Sequence, residues 1–198
     1  DGITAVHDAA CAPSAAAVYR AMHAAGTLPI SVLMMPHAEA ILMEPPLDGP
    51  VTGDGDELLR VGPVKLFADG GIAPAMDVSI AGQRSAFGIE FPGLSESMMA
   101  AVERGFRVAV HAIGNVGLKN TLAAFRRAAR LRPDDDHRFR VEHVCLASSK
   151  QITELAALGA VGVVQPGFVH HVGQSVEGVP WDEELWLPFG DLVRARVP

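Results

Sequence analysis

At six places in this 198-residue chain a polar or ionisable side chain directly follows, or closes, a short apolar run: His7 with Asp8, His37, Asp69, His111, His143 and Gln165. A strand buried on both faces should be apolar throughout, so polar groups gathered at strand ends ask for a purpose. Parallel strands bring their C-terminal ends to one face, where ligands bind in closed barrels and open sheets alike. His111 and His143 close the runs Val108-Ala-Val-His111 and Arg140-Val-Glu-His143, and neutral imidazole is the commonest metal ligand. Lys65 is the sharper anomaly, because it sits inside a run over 61–67 where an unpaired ammonium is expensive to bury. Its readings are a lysine paired with a carboxylate or snorkelling to a rim, a Schiff-base amine or phosphate contact, and a carbamylated metal bridge. His170 and His171 follow Gln165-Pro166 in a loop that could face the same site. His23 and His137 read as solvated, and Gly114 with Gly117 is too sparse for a dinucleotide fingerprint.

The elements that must position these side chains show as strand-like runs alternating with amphipathic stretches, the pattern of a parallel sheet wrapped by helices. The runs cover 2–6, 29–35, 61–67, 106–110, 139–144 and 160–164. Helices are expected over 15–25, with Ser14 as N-cap and Gly26 at C′, and from Ser95 to Gly105. A third, over 116–131, puts Leu118, Leu122, Phe125 and Ala129 on one face and Lys119, Arg126, Arg127 and Arg130 largely off it. A fourth opens on a capping box of Ser148 with Gln151 and buries Ile152, Leu155 and Ala156 before Gly159. The stretches 36–56 and 69–93 read as long loops, and beyond Pro166 the pattern decays.

An apolar fraction of 49% with 20% charged residues supports a large core and excludes a disordered chain. The net charge of −7 offers no basic surface, which argues against nucleic acid or an anionic membrane as partner. No apolar run approaches the ~20 residues of a bilayer span, and residues 1–10 lack the pattern of a secretory signal. Cys11 and Cys145 lie far apart, each beside an apolar run, so buried reduced thiols and a cytoplasmic location are expected.

The ordered set Gly2-Ile-Thr-Ala-Val-His-Asp8, Val64-Lys-Leu-Phe-Ala-Asp-Gly70, Val110-His-Ala-Ile-Gly114, Arg140-Val-Glu-His143 and Val164-Gln-Pro166 resembles the metal-dependent amidohydrolase superfamily. Within it, the match is to the amidohydrolase family 3 group, which includes N-substituted formamide deformylase-like enzymes. The resemblance implies a distorted TIM barrel holding one or two divalent metals, usually zinc. It implies that Lys65 is carbamylated and bridges two metals, and that His111 and His143 bind the second. A metal-activated hydroxide would then attack an amide-like carbonyl, and carbamylation would turn a costly ammonium into an anionic ligand. The chain also departs from the pattern. The family's His-x-His strand, its last strand bearing an Asp, and the flanking β-sandwich have no counterpart, and Asn115 stands where relatives often carry Asp.

The expected architecture is α/β: an incomplete TIM (β/α)8 barrel of the metal-dependent hydrolase type, with about strands two to seven, forming one partial domain over 1–198. A complete barrel typically takes ~250 residues. The expected function is part of a hydrolase of C–N bonds in small amide-like molecules, with Lys65, His111 and His143 as metal ligands and catalytic groups. His7, Asp8, Asp69, Asn115, Gln165 and His170 are expected near substrate. The segment alone, with three of the expected ligands, should be inactive. One rival reading is a non-catalytic remnant or binding module that has lost its metals; another is a metal-free enzyme using Lys65 as an amine nucleophile. Strands at 3–6 and 161–164 would be left as apolar edges, so homo-oligomers or poor solubility are expected, and a stable monodisperse monomer by light scattering would refute this.

Overall fold

In chain order the elements are β1 (Ala5–Cys11), α1 (Pro13–Ala24), β2 (Ser31–Pro36), β3 (Leu59–Val61), β4 (Val64–Phe67), β5 (Met76–Ile80) and β6 (Gln83–Phe87). They continue as α2 (Leu94–Glu103), β7 (Val108–Ala112), α3 (Asn115–Leu131), β8 (Arg140–His143), β9 (Leu146–Ser148) and α4 (Ser149–Ala157). Last come β10 (Val161–Val163), α5 (Phe168–His171), β11 (Glu184–Trp186) and α6 (Phe189–Arg194). This computed structural model describes residues 2–40, 43–171, 176 and 178–198. One sheet has the order β1-β2-β3 with parallel pairing, and a second has the order β10-β8-β7-β4. β5-β6 and β11-β9 are antiparallel pairs. Parallel strands alternating with helices make the fold α/β. The chain forms two compact units, residues 1–66 with 96–109 and residues 67–95 with 110–198. No helix among the described residues is long and apolar enough to cross a membrane.

In the first unit, α1 begins with Pro13 in its first turn, where a fixed φ and a missing N–H cost nothing. Ser14, expected as the cap, instead lies inside the helix, and its N–H and hydroxyl bond the Glu39 carboxylate at 2.9 and 3.0 Å. The other end behaves as expected: Gly26 takes φ +66°, which lets Thr27 N–H reach the Met22 carbonyl. The run over 61–67 is not one strand. Gly62 N–H bonds the Met34 carbonyl, a Cβ at Gly62 would lie 2.9 Å from Leu33 Cγ, and Pro63 has no N–H to continue a ladder.

The first strand also differs from expectation, because it begins later and runs on to Cys11. His7 and Asp8 therefore lie mid-strand, opposite Leu33 and Met34, and not at a strand end. β1 is an edge of its sheet, so a polar pair can be tolerated there with His7 exposed to solvent. Its end is marked by a register shift between Ala9 and Cys11, with Ala10 at φ +99°.

In the second unit, the amphipathic helix forms as read, one residue earlier, at Asn115. It buries Leu118, Leu122 and Phe125, with Ala128 rather than Ala129 as the buried alanine. Each large side chain so buried contributes roughly 1.5–3 kcal/mol, and Phe125 stacks on Phe139 with ring centroids 4.3 Å apart. The Ser148–Gln151 capping box is present in both directions. The stretch read as a loop over 69–93 contains the β5-β6 hairpin. Its turn places Ala81 and Gly82 at φ +50° and +78°, the mirror-image geometry that matches strand twist. Beside β10, Gly162 N–H donates to the Pro198 carbonyl.

Candidate metal centre

β7 is buried at all five positions, so its sequence VAVHA carries His111 into the interior. The His111 ring packs edge-to-face on His143, with centroids 4.5 Å apart, and lies 5.2 Å from the Phe67 ring. His143 closes β8 at φ +80° and Val144 follows at φ +47°. Two consecutive non-glycine residues in the left-handed region, one of them β-branched, store backbone strain of a kind that collects at functional sites.

Gln165, just past β10, fixes the tautomer of His143. Its Nε2 donates to the Val163 carbonyl, so its Oε1 accepts from His143 Nδ1–H at 2.6 Å. The proton of the neutral ring is thereby placed on Nδ1. Phe168 in α5 stacks on the His143 ring, with centroids 5.9 Å apart. Sequence reasoning gave no role to Phe168, because an isolated aromatic in a decaying pattern carries no period.

Asp69 is fully buried and holds the turn beneath these rings. Its carboxylate accepts from the backbone N–H of Ala75, Ile113 and Gly114 at 3.2, 3.0 and 2.7 Å, and Oδ1 lies 3.5 Å from His111 Nε2. Gly114 at the N-cap of α3 and Gly117 in its first turn are required by close approach. A Cβ at Gly114 would lie 2.0 Å from the Ala75 carbonyl oxygen, and one at Gly117 would lie 2.7 Å from Asp69 Cγ. Asp69 thus acts by positioning the start of α3.

In the first unit, Lys65 is buried at 3% exposure, with Nζ donating to the Leu66 carbonyl at 3.1 Å. The buried His37 donates from Nδ1 to the Lys65 carbonyl at 3.0 Å. Burial, and after it the nearby Lys65 charge, holds the His37 imidazole below its ordinary pKa, while the bond to the Lys65 carbonyl opposes this. The remaining residues singled out from sequence lie elsewhere. Asp8 raises the Cys11 thiol and the Tyr19 phenol, in each case after the effect of burial. Asn115 bonds the Asp77 backbone in both directions and donates to Glu184 Oε1 at 3.3 Å. His170 is exposed in α5.

Among the described residues, no group of three or more His, Cys, Asp or Glu side chains is gathered to hold a metal ion. The donor chemistry fits part of a metal shell nonetheless: two adjacent imidazoles, one with its proton pinned away by Gln165.

Both cysteines are free and buried, and burial is the main cause that pushes each thiol up to about 12. At pH 8 the thiolate is then about one part in ten thousand. Native protein should react only slowly with a disulfide reagent, and both thiols should titrate at once in denaturant. Rapid labelling of the native chain would contradict the burial.

A model of the amidohydrolase family matches residues 1–197. The chain belongs to the amidohydrolase family. It is 30% identical over 182 residues to N-substituted formamide deformylase of Arthrobacter pascens, which is 87% of this chain and 33% of that protein. It is 31% identical over 126 residues to Protein LONG AFTER FAR-RED 3 of Arabidopsis thaliana, 61% of this chain and 22% of that one. The chain therefore spans a third or less of the length of these relatives. Among solved structures, an uncharacterized metal-dependent hydrolase from Pyrococcus horikoshii OT3 superposes with a TM-score of 0.77 at 23% identity, covering 98% of this chain and 40% of that one. A second, from Pyrococcus furiosus, gives 0.71 at 22% identity, covering 90% and 38%. These likenesses support the α/β fold with parallel sheets.

Proposed function

We propose that this chain is part of a metal-dependent hydrolase acting on C–N bonds of small amide-like molecules, built on an incomplete (β/α)8 barrel. The observation that carries the reading is the His111–His143 pair, edge-to-face at 4.5 Å, with the His143 proton directed onto Gln165. His111 and His143 would hold a divalent metal, zinc by preference for imidazole. On the resemblance alone, Lys65 is proposed as a further ligand after carbamylation. When bound, the metal supplies a Lewis acid and lowers the pKa of water.

The chain's own residues prepare that chemistry. Gln165 takes the His143 Nδ1 proton, Asp69 holds the turn after β7 with Oδ1 3.5 Å from His111 Nε2, and Phe168 stacks on His143. Asp69 is fully buried and engaged by three backbone N–H groups, so its part is to hold the turn after β7 and not to carry protons to a leaving group.

The test is zinc binding by the chain itself. At a free zinc concentration about 100 times Kd, binding stabilises the native state by about 2.7 kcal/mol. For a chain of this size that raises Tm by about 5–10 °C. In bicarbonate buffer Lys65→Met should weaken binding at least about tenfold. A purified chain that holds no metal, and whose Tm is unmoved by zinc, would instead support a remnant of the fold that has lost its metals.

A further inference from the structure

Two polar atoms of β11, Trp186 Nε1 and Glu184 Oε2, are buried and have no hydrogen-bond partner among the described residues. Folded proteins pair nearly all such groups, so each one calls for an explanation. Glu184 and Trp186 are alternate residues of one strand and therefore face the same side. One is a donor and the other a charged acceptor, so the same face presents both halves of a hydrogen-bonding pair.

The surroundings hold both groups in place. Asn115 Nδ2 donates to Glu184 Oε1, which leaves Oε2 as the second acceptor of that carboxylate. Asn115 is itself held by the Asp77 backbone, and its carbonyl accepts from Gln151 Nε2 at 2.6 Å. The Trp186 ring is stacked on Trp181 at 6.4 Å with planes 16° apart, and Trp181 is tied to Ile80 by a β-bridge. Arg84 feels the charges of Glu183 and Glu184 but is hydrogen-bonded to Asp77.

We propose that Glu184 and Trp186, flanked by Trp181, form a recognition subsite for a neutral planar amide group. The amide oxygen accepts from the indole N–H, the amide N–H donates to the carboxylate, and the flat group lies against an aromatic surface. The chemistry selects against the alternatives. A carboxylate ligand meets the Glu184 charge, and an ammonium ligand leaves the indole donor unpaired. The assignment goes beyond the proposed hydrolysis, since it needs neither metal nor turnover.

Two tryptophans in the sequence make the test direct, because indole-15N labelling of the metal-free chain gives two N–H signals. Benzamide at about 10 mM, well above a millimolar Kd, should move one signal downfield in a saturable way, and benzoate should not. Trp186→Phe should remove the signal that moves and weaken benzamide binding about tenfold. Glu184→Leu should weaken it by at least as much. If neither signal responds to benzamide, or benzoate binds as well, the subsite is overturned, and the wild-type titration decides this even if a variant does not fold. Equal binding by folded Trp186→Phe would overturn it too.

Discussion

Asp69→Ala should cost about 3–9 kcal/mol of stability, a large fraction of what holds an ordinary domain folded. The estimate follows from what the side chain touches. Three buried N–H groups, of Ala75, Ile113 and Gly114, donate to this one carboxylate. Each unsatisfied buried donor costs about 1–3 kcal/mol, against a total stability of about 5–15 kcal/mol for an ordinary domain. Asn is no remedy, because its amide NH2 would face backbone donors where the structure needs only acceptors. Asp69→Asn should therefore fall between wild type and Asp69→Ala. Urea denaturation followed by far-UV circular dichroism measures both, and a loss below about 1 kcal/mol for the alanine variant would refute this role.

The second large effect separates function from stability at one residue. His143→Ala and His143→Gly both remove the imidazole, and each should raise the Kd for zinc at least about 100-fold, beyond the 10–100-fold typical of losing an outer-shell partner. Their stabilities should differ in the opposite sense from a usual position. At φ +80° an alanine keeps the Cβ clash that a glycine lacks, a difference of roughly 1–2 kcal/mol. Both variants lose the contacts with His111, Phe168 and Gln165 equally, so those losses cancel in the comparison. His143→Gly should thus be the more stable of the two by thermal melting, while binding zinc no better. An alanine variant as stable as the glycine one would show that the left-handed conformation carries no strain in solution.

Much of the fold was legible where periodicity is strong. The helix at Asn115–Leu131 repeats its apolar face over four turns, and the Ser148–Gln151 box is a local hydrogen-bond pattern that needs no tertiary context. The misreadings have physical causes. The β5-β6 hairpin was hidden because β6 is exposed at all five positions, so it lacks the alternation that marks a half-buried strand. Its turn uses Ala81 at positive φ in place of the usual Asn or Asp. Ser14 was displaced from the cap because Pro13 occupies the first helical turn and Glu39, remote in sequence, claims the serine.

The sequence by itself determined the alternation of parallel strands with the main helices, the placement of His111 and His143 at or next to the ends of β7 and β8, and the buried setting of Lys65. These follow from residue type and local period, which act over a few positions. Only the tertiary structure decided which polar residues have structural tasks. Asp69 and Asn115 look alike in sequence, each following an apolar run, yet one anchors three backbone N–H groups and the other joins Asp77 to Glu184. Gln165 acquires its task only when β10 lies beside β8 and brings its amide to His143. A hydrogen bond between residues 22 positions apart leaves no period in the chain, so only the folded arrangement reveals it.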